Sequence, residues 1–379
     1  MIGNFQKIGA YISVIDNRNT DGSITRLMGI SIDKCYIPSV ANVIGTDLNN
    51  YKVIRKGQFA CSLMQVSRDQ RIPIAMYEDD APAIMSPAYV MFEVSHPDEL
   101  LPEYMELWFK RAEFDREASF YAVGGVRGSL DWEDFCKMEL PVPPLPEQQK
   151  IVRDYQVVSD RIDLLRKINS NLQSIIDAYF ERFYSENCDM ETILSSVCTL
   201  TSSKRVFAED YVSEGVPFYR GGEISLKKTG EPIEDPLFIS REHYESIKET
   251  YGIPTEGDIL ITAVGTIGNS YLVENEEFYF KDGNIIWMKD FTEPEYRFFV
   301  YDFLQSSMFR GLLNSLYIGS TQIALTIVGL SGMKLNIPEL SDLQEYASRS
   351  AVYRKEIQRN QKELLELHNL RKLLLSKGA

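Results

Sequence analysis

The sequence predicts an α+β protein built twice: two globular units of mixed helix and strand, each followed by a long helix with a coiled-coil seam, with a pseudo-two-fold internal repeat. Three observations predict it. Residues 138–184 and 333–379 repeat one another without a gap at an offset of 195, so that Met138, Leu140, Val142, Pro143, Leu145 and Gln149 meet Met333, Leu335, Ile337, Pro338, Leu340 and Gln344; self-similarity at a fixed offset marks a repeated architecture. A long stretch with apolar residues at alternating steps of four and three follows the start of each copy. Ahead of each copy lie short β-branched and aromatic runs punctuated by Gly, Pro and Asn. The expected boundaries are 1–144 for the first globular unit, 145–184 for the first helix, 185–339 for the second unit and 340–379 for the second helix.

In the first unit GQFACSLMQV (57–66) and PAYVMFEV (87–94) read as strands, and residues 97–119 as one amphipathic helix. A glycine-containing loop, Val123 to Gly128, precedes the proline break, where Pro141, Pro143, Pro144 and Pro146 forbid continuous helix before Glu147. The seam of the first helix is Ile151, Tyr155, Val158, Ile162, Leu165, Asn169, Leu172 and Ile176, continuing to Tyr179 and Phe183. About 40 residues at 1.5 Å each make roughly 60 Å, longer than a core helix of a small domain needs.

The second unit answers element by element: GDILITAVGTIGNSYLV (257–273) is strand, turn and strand, residues 293–314 are the helix, and Ile318 to Thr321 the loop. Ser341-Asp342-Leu343-Gln344 fits a capping box opening the second helix. Its seam is Tyr346, Tyr353, Ile357, Asn360, Leu364 and Leu367, with Ser350 in a core register and a shift near Leu367. Asn169 and Asn360 interrupt the two seams and, in an antiparallel pair, fall nearly opposite one another. Ile168, Ile175 and Phe180 in the first helix, and Leu365 and Leu373 in the second, widen the apolar face beyond a two-helix contact and imply helices from another chain.

The net charge is −15, distributed as −6 over residues 1–144, zero over 145–184, −12 over 185–339 and +3 over 340–379. Acidity resides in the globular units, so phosphate binding depends on local basic strips and on positive charge from partners. Five scattered cysteines without Cys-x-x-Cys and three distant histidines argue against a disulfide frame or zinc site and for a reducing, cytoplasmic setting. The N-terminal stretch has no basic region leading into an apolar run, and no span approaches membrane length. Val264-Gly265-Thr266-Ile267-Gly268 lacks the Lys-Ser/Thr of a phosphate loop and reads as a strand turn. Neither an Asn/Asp-Pro-Pro-aromatic loop nor a Gly-rich turn for S-adenosylmethionine is present, and no nucleophile, base or metal grouping can be assembled.

PVPPLPEQQKIV with its long helix, the second copy IPELSDLQEY, GDILITAVGTIGN, VPFYRGGEI and KGQFACSLMQV with SPAYVMFEV together resemble the DNA specificity subunit of type I restriction-modification enzymes. The resemblance covers essentially the whole chain. It departs at the second proline break, where Glu339 and Ser341 stand in place of Pro144 and Pro146. It implies that each unit is a target recognition domain reading one part of a split site in double-stranded DNA. The two long helices that join the units then pair as an antiparallel coiled coil, a spacer on which two methyltransferase subunits dock, with restriction/translocase subunits completing the complex. Catalysis, S-adenosylmethionine, ATP and Mg belong on this reading to the partners. Other readings are the recognition subunit of a type IIB-like enzyme and a coiled-coil interaction scaffold. Candidate DNA contacts are Arg26, Lys34, Arg68, Arg71 and Arg127 in the first unit, and Lys204, Arg205, Tyr219, Arg220, Lys227 and Lys228 in the second, where cations stand beside glycines and polar residues.

Overall fold

The computed structural model describes residues 5–39, 45–64, 66–123, 128–318 and 324–377. The chain divides into two units, residues 1–160 with 369–379, and residues 161–368.

In the first unit, strand β1 (Phe5–Lys7) leads to β2 (Ile12–Ile15), β3 (Phe59–Cys61), β4 (Ile74–Met76) and β5 (Val90–Val94). The last four make an antiparallel sheet in the order β2-β5-β3-β4. Residues 59–61 and 74–76 are buried throughout, which is why they read as continuous apolar runs rather than alternating ones. Phe59 stacks on Phe92, and Phe109 meets both edge-on. The helix expected over 97–119 is two helices, α1 (Pro102–Phe109) and α2 (Ala112–Tyr121), separated by an extended Arg111. The buried Arg111 guanidinium lies 4.2 Å from the centre of the Trp108 ring, and Asp115 of α2 accepts from the Ile72 amide at 3.1 Å. These tertiary contacts override the propensity for one helix. Strand β6 (Glu139–Pro141) then pairs with β1, placing the beginning and end of the unit side by side. Helix α3 runs from Leu145 to Asn187, with Pro146 tolerated in its first turn, where no amide partner is needed.

The second unit repeats this frame. Strand β7 (Met190–Ile193) opens it, followed by β8 (Thr199–Thr201) and β9 (Val216–Tyr219), helix α4 (Gly221–Thr229), β10 (Ile259–Thr262), β11 (Ser270–Leu272), β12 (Tyr279–Phe280) and β13 (Ile285–Lys289). Its principal sheet has the order β8-β13-β10-β11, the order of the first sheet strand for strand. Here too the predicted single helix is two, α5 (Tyr296–Gln305) and α6 (Ser307–Leu316), broken at an extended Ser306 whose hydroxyl accepts from the Phe309 amide at 3.2 Å. Strand β14 (Lys334–Ile337) closes the unit by pairing with β7, as β6 does with β1. Helix α7 (Leu340–Lys377) follows. It begins before Ser341, so the expected capping box is not its start: the Leu343 amide bonds to the Glu339 carbonyl at 3.0 Å.

Within the second unit α3 and α7 are antiparallel: Arg161 pairs with Glu363 at 2.7 Å, Asn169 with Asn360, and Tyr179 stacks on Tyr346. Val158, Ile162, Leu165 and Ile176 are buried, while Asn169 and Leu172 are half-buried. Ile151 is not a seam residue, because it packs on the core of the first unit. Tyr155 is half-buried beneath Lys110. Phe180 is not spare apolar surface either: it is fully buried with Phe299 and Phe303 in the second core. Ile175 and Leu373 remain about half exposed, as expected. On α7 the buried set is Leu343, Tyr346, Ala347, Ser350, Arg354, Asn360, Leu364 and His368, whereas Tyr353, Ile357 and Leu367 are half-buried. Leu343, Ser350, Ile357 and Leu364 thus keep a strict seven-residue period, and Arg354 and His368 occupy two places assigned from sequence to Tyr353 and Leu367.

Asn360 donates its amide Nδ2 to Asn169 Oδ1 at 2.8 Å, and Asn360 is 2% exposed. A buried amide satisfied only by its counterpart disfavours any slipped pairing. Asn360→Leu is expected to cost about 1–3 kcal/mol, because the Asn169 amide is left unmet. The double replacement by leucine is expected to restore stability while admitting a second register. Urea unfolding with cysteine cross-linking across the pair checks this, and a single register in the double mutant would refute it.

Candidate nucleic-acid interface

The antiparallel order of the second sheet brings the C-terminal ends of β8 and β10 and the N-terminal ends of β11 and β13 to one edge, Thr201 facing Trp287 and Thr262 facing Ile285. Four segments leave from there or beside it. Residues 264–269 form the β10–β11 turn, with Gly265 and Gly268 at φ 77° and 87°, conformations that favour glycine. This is the strand turn the sequence predicted. Its Asn269 donates to Ser225 of α4 at 3.0 Å, and the hydroxyls of Thr266 and Ser225 lie 3.1 Å apart. The Ala263 amide bonds to the Asn284 carbonyl at 2.7 Å, and the Gly283 amide to Ser202 Oγ at 3.3 Å. Residues 202–205, 220–222, 264–269 and 281–284 therefore form one polar loop cluster, containing Lys204, Arg205 and Arg220.

The remaining candidates of this unit separate by burial. Tyr219 is core, stacked on Phe278 at 5.0 Å, and burial pushes its phenol up to about 12. Lys227, near the C-terminal end of α4, pairs with Glu276 at 2.7 Å. Lys228 is half-buried there, and desolvation pulls its ammonium below the usual lysine range against the attraction of Asp177. Arg205 reaches Asp282 at 2.7 Å, and Lys204 lies over the Tyr251 ring at 5.0 Å. Arg220 is fixed most firmly: its Nε donates to Glu223 at 2.9 Å, its Nη2 to the same oxygen, and its backbone amide to the other carboxyl oxygen at 3.0 Å. Glu223 is buried. Desolvation pushes its carboxyl up, but the hydrogen bonds from Arg220 prevail and hold it below the ordinary value. Half of the Arg220 side chain remains exposed, with its guanidinium in a set orientation.

In the first unit the same sheet edge carries the loop from β3 to β4, and with it Arg68 and Arg71. Arg68 pairs with Asp69 at 2.7 Å and Arg71 with Asp33 at 3.2 Å. Arg26 pairs with Asp79 at 2.5 Å. Arg18, which follows β2 as Arg205 follows β8, belongs to this edge and was missed from sequence; its signal is the polar run Asp16-Asn17-Arg18-Asn19 directly after a strand. Arg127 lies outside the described residues. Lys34 does not fit the role assigned to it: it is 7% exposed, its ammonium pairs with Asp115 at 2.8 Å and donates to the Phe109 carbonyl, and it approaches the Phe114 ring.

Among the described candidates Arg26, Lys34, Arg68, Arg71, Arg205, Arg220 and Lys227 are each paired with a carboxylate. The exposed pairs are screened by solvent, so an incoming phosphate can displace them at small cost. Among the described residues no group of His, Cys, Asp and Glu could hold a metal ion, and no helix is long and apolar enough to cross a membrane.

Residues 65–174 and 190–367 each match the model of the type I restriction modification DNA specificity domain. A provisionally named type I restriction enzyme specificity subunit of Haemophilus influenzae is 26% identical over 245 residues, which span 60% of this chain and 59% of that protein. The crystal structure of the S subunit of a type I restriction-modification system from M. genitalium superposes with a TM-score of 0.57 at 15% identity, covering 99% of this chain and 96% of that one.

Proposed function

Since the chain belongs to the type I restriction modification DNA specificity family, we propose that it is the non-catalytic subunit that reads a bipartite DNA site, one half with each unit. The two long helices set the distance between the half-sites and carry two methyltransferase subunits. Restriction subunits act through the same assembly, and S-adenosylmethionine, ATP and Mg are bound by the partners. The observation that carries this reading is the identical strand order of the two sheets with unlike loops at the same edge. One frame carrying two different sets of contacts suits two half-sites of different sequence. Mixed phosphate and base contacts are expected there, the cations positioning the duplex and a minority reading base edges.

Methylome sequencing of the host with and without the gene tests the proposal: a split adenine-methylation motif is expected to vanish. Exchanging residues 1–140 for those of a relative is expected to change one half of that motif only. A change in both halves, or in neither, would refute independent reading. The acidity of the units and the internal pairing of their cations predict that the isolated chain binds its target weakly. Adding the methyltransferase subunit is expected to raise affinity and steepen the salt dependence. Tight, specific binding by the chain alone at physiological salt would overturn that expectation.

A further inference from the structure

Helix α4 begins in the loop cluster, at Gly221, and its other end lies against the spacer. Gly230, its left-handed C-cap at φ 74°, sits so close to α7 that an added Cβ would come within 2.9 Å of the Gln361 Cβ and 3.0 Å of its Cα. The Gln361 side chain donates to the Lys228 carbonyl, an unfilled acceptor of the last turn of α4, at 2.7 Å. The next residue, Glu231, takes hold of both spacer helices: Arg166 of α3 donates Nε to one carboxyl oxygen and Nη2 to the other, each at 2.9 Å, and Nε2 of the buried His368 of α7 lies 3.2 Å from the latter. A bidentate arginine restricts the orientation of the carboxylate as well as its distance.

We propose that Glu231 is the positioning residue that locks the second recognition unit onto the two-helix spacer, with α4 as a strut between lock and reading loops, so that this grip sets which half-site separation the protein accepts. The inference rests on the functional reading above and adds the residue through which the spacing is transmitted. A few ångströms of play at Gly230 and Glu231 reach Arg220 and Thr266 through nine residues of rigid helix, about 13 Å. The hydrogen bonds from His368 and Arg166 hold the Glu231 carboxyl at about 2, against 4.5 for an unperturbed one. A depressed carboxylate contributes stability above its unfolded value and loses it as pH falls through the folded one, so the contribution of the Glu231 carboxylate is present above about pH 4.5 and lost as pH falls toward 2.

The test uses the chain assembled with its methyltransferase subunits, and a duplex library carrying the two wild-type half-sites at the native gap and at gaps one base pair shorter and longer. Glu231→Gln and Arg166→Gln are expected to reduce the preference for the native gap by about tenfold or more, with the bases of both half-sites unchanged. Gly230→Ala, which alters no charge, is expected to do the same by forcing α4 away from Gln361. Thermal unfolding identifies any variant that has lost its fold; Arg166, 42% exposed, is the replacement best tolerated. Variants that methylate more slowly but keep the wild-type gap preference would overturn the proposal. A wild-type complex that shows no preference for any gap would overturn the functional reading instead, before any variant is compared.

Discussion

Replacing Arg354 with alanine is expected to cost the second unit about 3–5 kcal/mol, the effect of stranding a buried charge. Asp302 of α5 is 1% exposed, accepts from Arg354 Nη1 at 2.9 Å and also from its Nη2, and takes a further hydrogen bond from the buried Tyr346 hydroxyl. Burial pushes the Asp302 carboxyl up to about 6 in spite of Arg354. A carboxyl raised above its unfolded value of 3.8 adds stability below that value, and the contribution is lost as pH rises through about 6. Without Arg354 the carboxyl rises further, so the penalty of Arg354→Ala is expected to be larger at pH 8 than at pH 5, where protonation relieves it. Asp302→Leu combined with Arg354→Met removes both charges and is expected to recover most of the loss. Urea unfolding at the two pH values measures all of this; a penalty independent of pH, or one under 1 kcal/mol, would show that the pair is solvated.

Lys34→Ala is expected to have an effect of similar size, about 3 kcal/mol or more, on the first unit. The change takes from Asp115 the ammonium that pairs with it at 2.8 Å, empties the space beside Phe114 and unties the turn at Lys34, whose φ is 61°, from Phe109. Desolvation already pulls the Lys34 ammonium below the ordinary lysine range, and Asp115 only partly opposes this. Lys34→Met keeps the stem and is expected to separate the two roles: destabilised chain, unchanged salt dependence of DNA binding by the assembled complex. Arg205→Ala is the contrast, with stability near wild type and a salt slope lower by about one. A fall in salt slope for Lys34→Met would return Lys34 to the phosphate-binding set.

These residues also show where the sequence was legible. The repeat was readable because Met138 and Leu140, like Met333 and Leu335, are buried at the same point of each unit and tolerate little variation in size. The facing of Asn169 and Asn360 followed from helix geometry alone. The helix break at Arg111 did not, because Asp115 of the second helix answers the amide of Ile72, distant in sequence, whereas the break at Ser306 rests on local hydrogen bonds to Phe303 and Phe309 that periodicity does not register. Hydrophobic periodicity gives a polar residue no weight, so Tyr353 and Leu367 were placed in the seam while Arg354 and His368, whose partners come from α5 and the loop after α4, occupy it. Lys34 failed for the same reason, and Tyr219 because an aromatic beside arginine reads alike whether its ring stacks on a base or on Phe278. Arg220 was identified, but what fixes it is a buried glutamate three residues on.

The pairing of β1 with β6, and of β7 with β14, bears on how such a chain changes over generations. Each unit begins and ends on neighbouring strands, Phe5 beside Pro141 and Met190 beside Ile337. A stretch of gene inserted between such points therefore needs only two compatible junctions, both on backbone-paired strands. On the function proposed above, new binding preferences are acquired whole, by recombination of a cassette, while subunits docked on the spacer meet an unaltered mount.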